Sequence, residues 1–169
     1  SSWPGPFGSY YVGASPRQML AADLNDDSRL DLAVASVGDA LSSSVFVLFN
    51  RGEGAFEEPV NFPLGGDPFW IAWTGRPLKL IAADLDGDGM LDLAVARGDV
   101  CVVTVLLNAG NGTFKAGVRY DTGCWLTSLK AADLDGDGHL DLVAALEYEC
   151  PIRCAGSTNS VVVLRNRGN

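Results

Sequence analysis

A nine-residue segment rich in aspartate occurs three times in this chain of 169 residues. The copies align without gaps as AADLNDDSRLDLAVA from Ala21, AADLDGDGMLDLAVA from Ala82 and AADLDGDGHLDLVAA from Ala131. Each copy is followed by a run rich in β-branched residues that ends in asparagine, namely VFVLFN, VTVLLN and VVVLRN. Because every copy must form the same structural unit, this repeat constrains the fold more than any other feature.

The pattern inside each unit predicts β-strands. In LDLAVA of the second copy, Leu91, Leu93 and Val95 alternate with smaller or polar residues, as in a strand with two different faces. The VxVLxN runs are nearly continuous apolar segments, which is typical of strands covered on both faces. No segment has a helical period, and the copies are 61 and 49 residues apart, the size of a four-stranded sheet.

We therefore predict an all-β fold of four-stranded antiparallel propeller blades, about three per chain, in one domain spanning residues 1–169. The units cover about 17–65, 78–122 and 127–169, and a strand at 7–14 is predicted to belong to a blade split between the two ends. Three blades are too few to close a ring. Either two chains combine as a homodimer of six blades, or the three blades form part of a longer ring.

The aspartate loops have the spacing of a calcium site. Carboxylates at loop positions 1, 3 and 5 converge, position 7 supplies a backbone carbonyl, and an aspartate at position 9 completes a shell of hard oxygen ligands. We predict three Ca²⁺ ions per chain. The ligands are Asp23, Asn25, Asp27, Arg29 and Asp31 in the first loop, Asp84, Asp86, Asp88, Met90 and Asp92 in the second, and Asp133, Asp135, Asp137, His139 and Asp141 in the third.

The first loop should bind its ion most weakly, because Asn25 replaces a carboxylate and Ser28 replaces a turn glycine. An EF-hand has a similar beginning but needs an acidic residue at position 12. That position holds Val34, Val95 and Ala144, and a strand follows instead of a helix. The remaining alternative to a metal site is three solvated acidic turns.

Charge supports this interpretation. Twelve of the 21 acidic residues lie in the three loops, and the formal net charge is −9. Such density favours a neutralising cation, and it argues against binding to nucleic acid, which needs basic patches. No run of 18 apolar residues is present, so no membrane-spanning helix is expected.

The aspartate loop followed by LDLAVA resembles FG-GAP or VCBS repeats, the units of the integrin α-chain propeller and of certain propeller lectins. The resemblance covers nearly the whole chain. It implies structural calcium sites and a role in adhesion or ligand binding outside the cell, at the cell surface or in secreted form. It does not select the ligand.

A ligand surface is predicted on the face opposite the calcium loops, where the longest connections between strands fall. Exposed aromatic rings there would suit a glycan or a protein partner, although the same rings could instead fill the channel mouth or a blade interface. The candidates are Phe69, Trp70, Trp73, Trp125 and Tyr148.

Four cysteines in a calcium protein indicate an oxidising compartment. We favour disulfides Cys150–Cys154 and Cys101–Cys124, with buried free thiols as the alternative.

Two short motifs are weaker evidence of function. Arg97-Gly98-Asp99 is an adhesion tripeptide that often arises by chance. Asn111-Gly112-Thr113 matches a glycosylation sequon, but we interpret it as a tight turn.

Catalysis is the least favoured class of function. His139 is the sole histidine and occupies a carbonyl-donor position, which leaves no base for a serine or cysteine nucleophile. Nothing marks a pair of catalytic carboxylates outside the loops. Three hypotheses follow: a calcium-stabilised propeller for protein binding or adhesion, a lectin that uses the tryptophan-bearing face, and a non-catalytic propeller part of a larger secreted enzyme.

Overall fold

A computed structural model of the chain describes residues 8–37, 43–65, 78–97, 101–122, 126–147 and 159–168. All regular elements in these ranges are β-strands. The described residues include no helix long and apolar enough to cross a membrane. The prediction of an all-β fold is therefore confirmed.

The first unit forms a four-stranded antiparallel sheet, which we call blade 1. Its strands are β1 (Ser15–Ala22), β2 (Asp31–Val37), β3 (Ser43–Leu48) and β6 (Val60–Pro63), and they lie in the order β1-β2-β3-β6. A small hairpin of β4 (Asn50–Gly52) and β5 (Ala55–Phe56) connects the third strand to the fourth. This is the predicted order of strands, including the position of the glycine-rich segment.

The second unit, blade 2, repeats the arrangement. It contains β7 (Leu78–Ala83), β8 (Asp92–Arg97), β9 (Val102–Leu106) and β12 (Val118–Asp121), with the hairpin β10 (Asn108–Gly110) and β11 (Thr113–Phe114) before the last strand. Blade 3 has three described strands, β13 (Leu126–Ala132), β14 (Asp141–Leu146) and β15 (Ser160–Leu164). Three sheets built on one pattern agree with three propeller blades.

Apolar side chains between neighbouring blades form two cores. The first core joins residues of β2 and β3 to residues of β7, β8 and β9, and the second joins β8 and β9 to β13 and β14. Strand β8 serves both, since Leu93 and Val95 lie in the first core and Ala94 and Ala96 in the second. The predicted alternation of this strand is confirmed, and burial on both faces explains its apolar sequence.

The first strands of neighbouring blades also meet through hydrogen bonds. The side-chain amide of Gln18 on β1 donates to the carbonyl oxygen of Leu80 on β7 at 3.3 Å, and its carbonyl oxygen accepts the Leu80 N–H at 3.0 Å. One side chain thus pairs with the backbone of the next blade as a further residue of a strand would. This link fixes β1 against β7 in addition to the apolar core.

The predicted strand at 7–14 is not assigned as a strand in its described part, residues 8–14. These residues lie against blade 1 instead. The ring of Tyr10 contacts the ring of Phe56 edge to face at a centroid distance of 5.9 Å, and its hydroxyl accepts the Phe56 N–H at 3.0 Å. A strand is defined by its pairing, and within the described part of the chain no strand pairs with this segment.

Candidate metal centre

Each aspartate loop connects the first strand of a blade to the second. The first loop lies between β1 and β2, the second between β7 and β8, and the third between β13 and β14. Antiparallel pairing on both sides of each loop fixes its two ends about one strand spacing apart. The fold therefore presents the three loops in equivalent positions, as the repeat predicts.

In the second loop the carboxylates converge. Asp84, Asp86 and Asp88 each place a ligand oxygen within 4.8 Å of the others. The backbone wraps around Asp84, whose carboxylate accepts the N–H groups of Gly87 at 2.8 Å and Gly89 at 3.0 Å. Three hard oxygen donors held in one tight loop can bind a metal ion.

The third loop reproduces this geometry. Asp133, Asp135 and Asp137 also lie within 4.8 Å of one another. The carboxylate of Asp133 accepts the N–H groups of Gly136 at 2.8 Å and Gly138 at 3.0 Å. Hydrogen bonds from Gly138 and Gly136 hold the pKa of Asp133 below its ordinary value, so the charged form that a cation requires is favoured.

The first loop differs in having an ion pair between two of its own residues. The guanidinium of Arg29 pairs with the carboxylate of Asp27 at 2.8 Å, and the amide of Asn25 donates to the same oxygen at 3.1 Å. Desolvation acts to raise the pKa of Asp27, yet the N–H of Arg29, the Asn25 amide and the Arg29 charge together hold that pKa low. A built-in cation thus competes for the carboxylate that a metal ion would use.

Side chains at position 7 lie against the segment that follows the third strand of their own blade. The Nε of Arg29 donates to the carbonyl oxygen of Asn50 at 2.9 Å. A side chain built at Gly110 would contact the sulfur of Met90, and one at Gly168 would collide with the ring of His139. This orientation explains why three unlike residues occupy the position. Binding of the ion by the backbone carbonyl oxygens of these residues stays a prediction.

Position 9 has a structural role that the sequence did not reveal. Asp31, Asp92 and Asp141 are buried, and each accepts two backbone N–H groups. The carboxylate of Asp92 accepts the N–H of Leu85 in its own loop at 2.8 Å and the N–H of Asn108 at the start of β10 at 2.7 Å. Desolvation raises the pKa of Asp31 and of Asp92. These aspartates thus hydrogen-bond the loop to the residue that follows the third strand. Direct binding of the ion by these carboxylates stays a prediction.

The asparagine that ends each VxVLxN run was missed as a site residue, although its recurrence in the repeat was the signal. The amide of Asn108 donates to the carbonyl of Leu91 in its own loop at 3.1 Å and to that of Leu24 in the first loop at 2.9 Å. Asn166 donates in the same way to Leu140 and to Leu85 of the second loop. Asn108 and Asn166 therefore each connect a blade to the aspartate loop of the blade before it, whereas Asn50 donates to Leu30 of its own loop.

Several predicted residues lie outside the described residues, so their roles stay predictions. These are the aromatic candidates Phe69, Trp70, Trp73, Trp125 and Tyr148 and three of the four cysteines, Cys124, Cys150 and Cys154. Cys101 is described and directly precedes β9. Both proposed disulfides thus include at least one residue outside the described part of the chain.

The two short motifs are placed at least in part. Arg97 is buried, and its guanidinium donates to the carbonyl of Gly65 at 2.9 Å, so this side chain is not available for an adhesion tripeptide. Asn111 and Gly112 form the turn of the β10–β11 hairpin with positive φ angles of 52° and 71°. A side chain at Gly112 would collide with the ring of Phe49 on blade 1. The interpretation of Asn-Gly as a tight turn agrees with this geometry.

The fold and its loops define a repeat protein of the propeller type with acidic loops that could hold metal ions. The family model for the FG-GAP-like repeat matches residues 23–95 and 84–144. The chain belongs to the FG-GAP-like repeat family, and the resemblance noted from the sequence is confirmed.

A solved structure shares the fold. The "Photorhabdus luminescens Tc holotoxin pore, Mutation TccC3-D651A" superimposes with a TM-score of 0.52 at 24% sequence identity, over 81% of this chain and 6% of that chain. The superposition therefore involves only a small part of the toxin chain, and at this identity the likeness shows the fold alone. No curated protein matches the chain.

Proposed function

We propose that this chain is a calcium-stabilised β-propeller module that binds a ligand outside the cell. The observation that carries the proposal is the pair of acidic triads, Asp84-Asp86-Asp88 and Asp133-Asp135-Asp137, each with its oxygens within 4.8 Å. Calcium fits such loops because it takes six to eight oxygen ligands in a flexible shell, whereas Mg²⁺ requires strict octahedral geometry and retains water. The role is one of binding rather than catalysis.

The proposal includes three ions per chain with unequal affinity. Loops 2 and 3 offer three carboxylates each, while loop 1 offers Asp23 and Asp27 with Asn25, and Arg29 already pairs with Asp27. Loop 3 also contains a fixed cation, since Arg165 pairs with Asp135 at 3.0 Å. What distinguishes loop 1 is therefore Asn25 in place of a carboxylate, because removal of a charged ligand weakens binding of a divalent ion. The first loop is therefore assigned the weakest site.

Isothermal titration of metal-free protein with CaCl₂ tests the assignment. We expect about three ions per chain, and Asp86→Asn and Asp135→Asn should each weaken one tight site at least about tenfold. Glu58→Gln is the matched control, because it removes one exposed negative charge outside the loops and should leave every site unchanged. Thermal unfolding with calcium or with a chelator gives a second readout, since a ligand of the folded state raises the midpoint. Equal midpoints in calcium and chelator would contradict a structural role for the ion.

For the ligand, we propose a protein or glycan bound on the face opposite the loops. Strand β2 runs from the first loop to Val37 and β3 begins at Ser43, so these strand ends lie away from the metal site. Strand ends on this same side flank three segments of the sequence that contain aromatic residues. Trp70 and Trp73 fall between β6 and β7, Trp125 between β12 and β13, and Tyr148 between β14 and β15. Aromatic rings of this kind stack on sugars and form the energetic centre of protein interfaces.

A glycan-array screen of the calcium-loaded protein separates the two classes of ligand. Binding that is lost in Trp70→Ala or Trp73→Ala, while the thermal midpoint in calcium is retained, would support a lectin. If no glycan binds, the lectin is excluded and the protein-binding form of the proposal stands to be tested by capture of extracellular proteins. Tyr11→Ala, on a described and exposed ring elsewhere, is the matched control and should keep glycan binding.

A further inference from the structure

The two outer faces of the three-blade array expose residues whose counterparts are buried between blades. On blade 3, Val161 is 65% exposed, while its counterparts Val45 and Val103 are 0% exposed. On blade 1, Met19 is 66% exposed, while its counterparts Leu80 and Leu129 are 2% and 4% exposed. Both outer faces therefore have the apolar surface of a blade interface without a covering blade among the described residues.

The hydrogen bonds between blades are also incomplete at the two outer faces. Asn108 and Asn166 each donate to a leucine carbonyl of the preceding blade, but Asn50 donates to Leu30 of its own blade. At the other end, no asparagine donates to the carbonyl of Leu134 within the described part of the chain. At the two ends of the array, Asn50 and Leu134 thus occupy the donor and acceptor positions of the hydrogen bond that joins the inner blades.

Residues 8–14 lie on blade 1 where the fourth strand of a preceding blade would lie. Phe62 on β6 of blade 1 contacts Phe114 of the blade 2 hairpin edge to face at 5.1 Å. Tyr10 makes the equivalent contact with Phe56 of the blade 1 hairpin at 5.9 Å. The segment therefore sits on blade 1 as β6 sits on blade 2.

Blade 3 offers the complementary space. Among the described residues, β15 pairs only with β14, so its other edge is open. Beside it lies a cleft of about 480 Å³ lined by Leu107, Tyr120 and Leu164. Tyr120 is the counterpart of Phe62, which at the first interface packs on a phenylalanine of the next hairpin. An open edge of this kind favours pairing with another strand.

We propose that the outer face of blade 1, with residues 8–14, docks on blade 3 of a second copy of this chain. In this contact residues 8–14 pair with β15 of the second copy, and Asn50 donates to its Leu134 carbonyl. Two-fold symmetry makes the contact twice and closes a ring of six blades, within the usual range of propellers. This inference does not depend on the metal or on the ligand of the proposed function.

The test is the mass of the calcium-loaded chain in solution by light scattering after size-exclusion chromatography. We expect the mass of two chains. Val163→Lys and Met19→Lys place a charge in the contact and should raise the dissociation constant of the dimer at least about tenfold. Val60→Lys is the matched control, because Val60 is an exposed strand valine on neither outer face and the variant should remain a dimer. Circular dichroism confirms that each variant is folded.

A mixing experiment separates this head-to-tail contact from any other dimer. Met19→Lys leaves the blade 3 face intact, and Val163→Lys leaves the blade 1 face intact, so an equimolar mixture restores one unaltered contact per pair. The mixture should therefore form dimers more tightly than either variant alone. A wild-type monomer, larger open-ended oligomers, or a mixture no tighter than its components would each overturn the proposal, and a monomer would indicate that these faces meet blades of a longer chain.

Discussion

At the scale of single residues, the first loop departs from the other two in its backbone as well as its charge. Asp26 and Ser28 have φ angles of 61° and 65°, where the second loop has Gly87 and Gly89 with φ angles of 79° and 88°. A side chain at such an angle costs roughly 1–2 kcal/mol because Cβ approaches the backbone carbonyl. Aspartate tolerates this conformation better than serine does. Ser28 is therefore a strained residue in the weakest predicted site.

Ser28→Gly should stabilise the metal-free protein by about 1 kcal/mol, because glycine relieves the strain and loses some of the gain through its greater freedom in the unfolded chain. The reciprocal variant Gly89→Ser should destabilise it by a similar amount, since open space around Gly89 leaves only the backbone cost. Urea denaturation in a chelator measures both. A first-loop variant that is less stable than the parent would show that the Ser28 side chain contributes more than its backbone strain costs.

At the scale of elements, each aspartate loop belongs to two blades. Within its own blade, the N–H of Leu24 donates to Asp31 at 3.0 Å. Across the interface, the carbonyl of Leu24 accepts the amide of Asn108 at 2.9 Å. The backbone of the loop is thus held from both sides, and any ion that orders the loop also orders the interface between blades 1 and 2.

Asn108→Ala should cost about 2–4 kcal/mol of stability, because it removes two buried amide bonds and leaves the carbonyls of Leu24 and Leu91 without that donor. The matched control is Thr113→Ala, which removes one exposed hydrogen bond from the hydroxyl to the Gly110 carbonyl within the blade 2 hairpin and should cost about 1 kcal/mol. Urea denaturation of the calcium-loaded proteins measures the difference. Equal losses in the two variants would contradict a role for Asn108 in joining the blades.

Strands and loops could be predicted from the sequence because the repeat presents each signal three times. The alternation in LDLAVA predicted which residues lie on each face of β8, and the spacing of the aspartates predicted the acidic triads. The position of residues 8–14 could not be derived, because their contact with blade 1 depends on the ring of Tyr10 meeting Phe56 across the fold. The buried hydrogen bonds of Asp92 could not be predicted either, since a metal ligand and a buried acceptor have the same sequence pattern.

At the scale of the whole molecule, charge is concentrated at one end of the blades. Twelve acidic residues in the three loops dominate a net charge of −9, and they lie at the same end of their sheets because each loop joins the first strand to the second. Arg29 with Asp27 and Arg165 with Asp135, at 3.0 Å in the latter pair, offset part of this charge. Exposed pairs of this kind stabilise little, so most of the repulsion must be relieved by ions from solution.

The metal-free protein should therefore become more stable as salt is added, and the calcium-loaded protein much less so. Raising NaCl from about 0.02 M to about 0.5 M shortens the screening length from about 20 Å to about 4 Å, which suppresses repulsion between loops as well as within them. We expect the thermal midpoint to rise by about 2–4 °C without calcium, because relief of about 1 kcal/mol shifts the midpoint of a domain of this size by that amount. Three bound ions would change the formal charge from −9 to −3 and remove most of that gain.

Salt effects on apolar burial act on both forms alike, so the difference between the two titrations isolates the charge of the loops. Parallel titrations, with the same gain in both forms, would mean that the acidic loops do not limit stability in the absence of calcium.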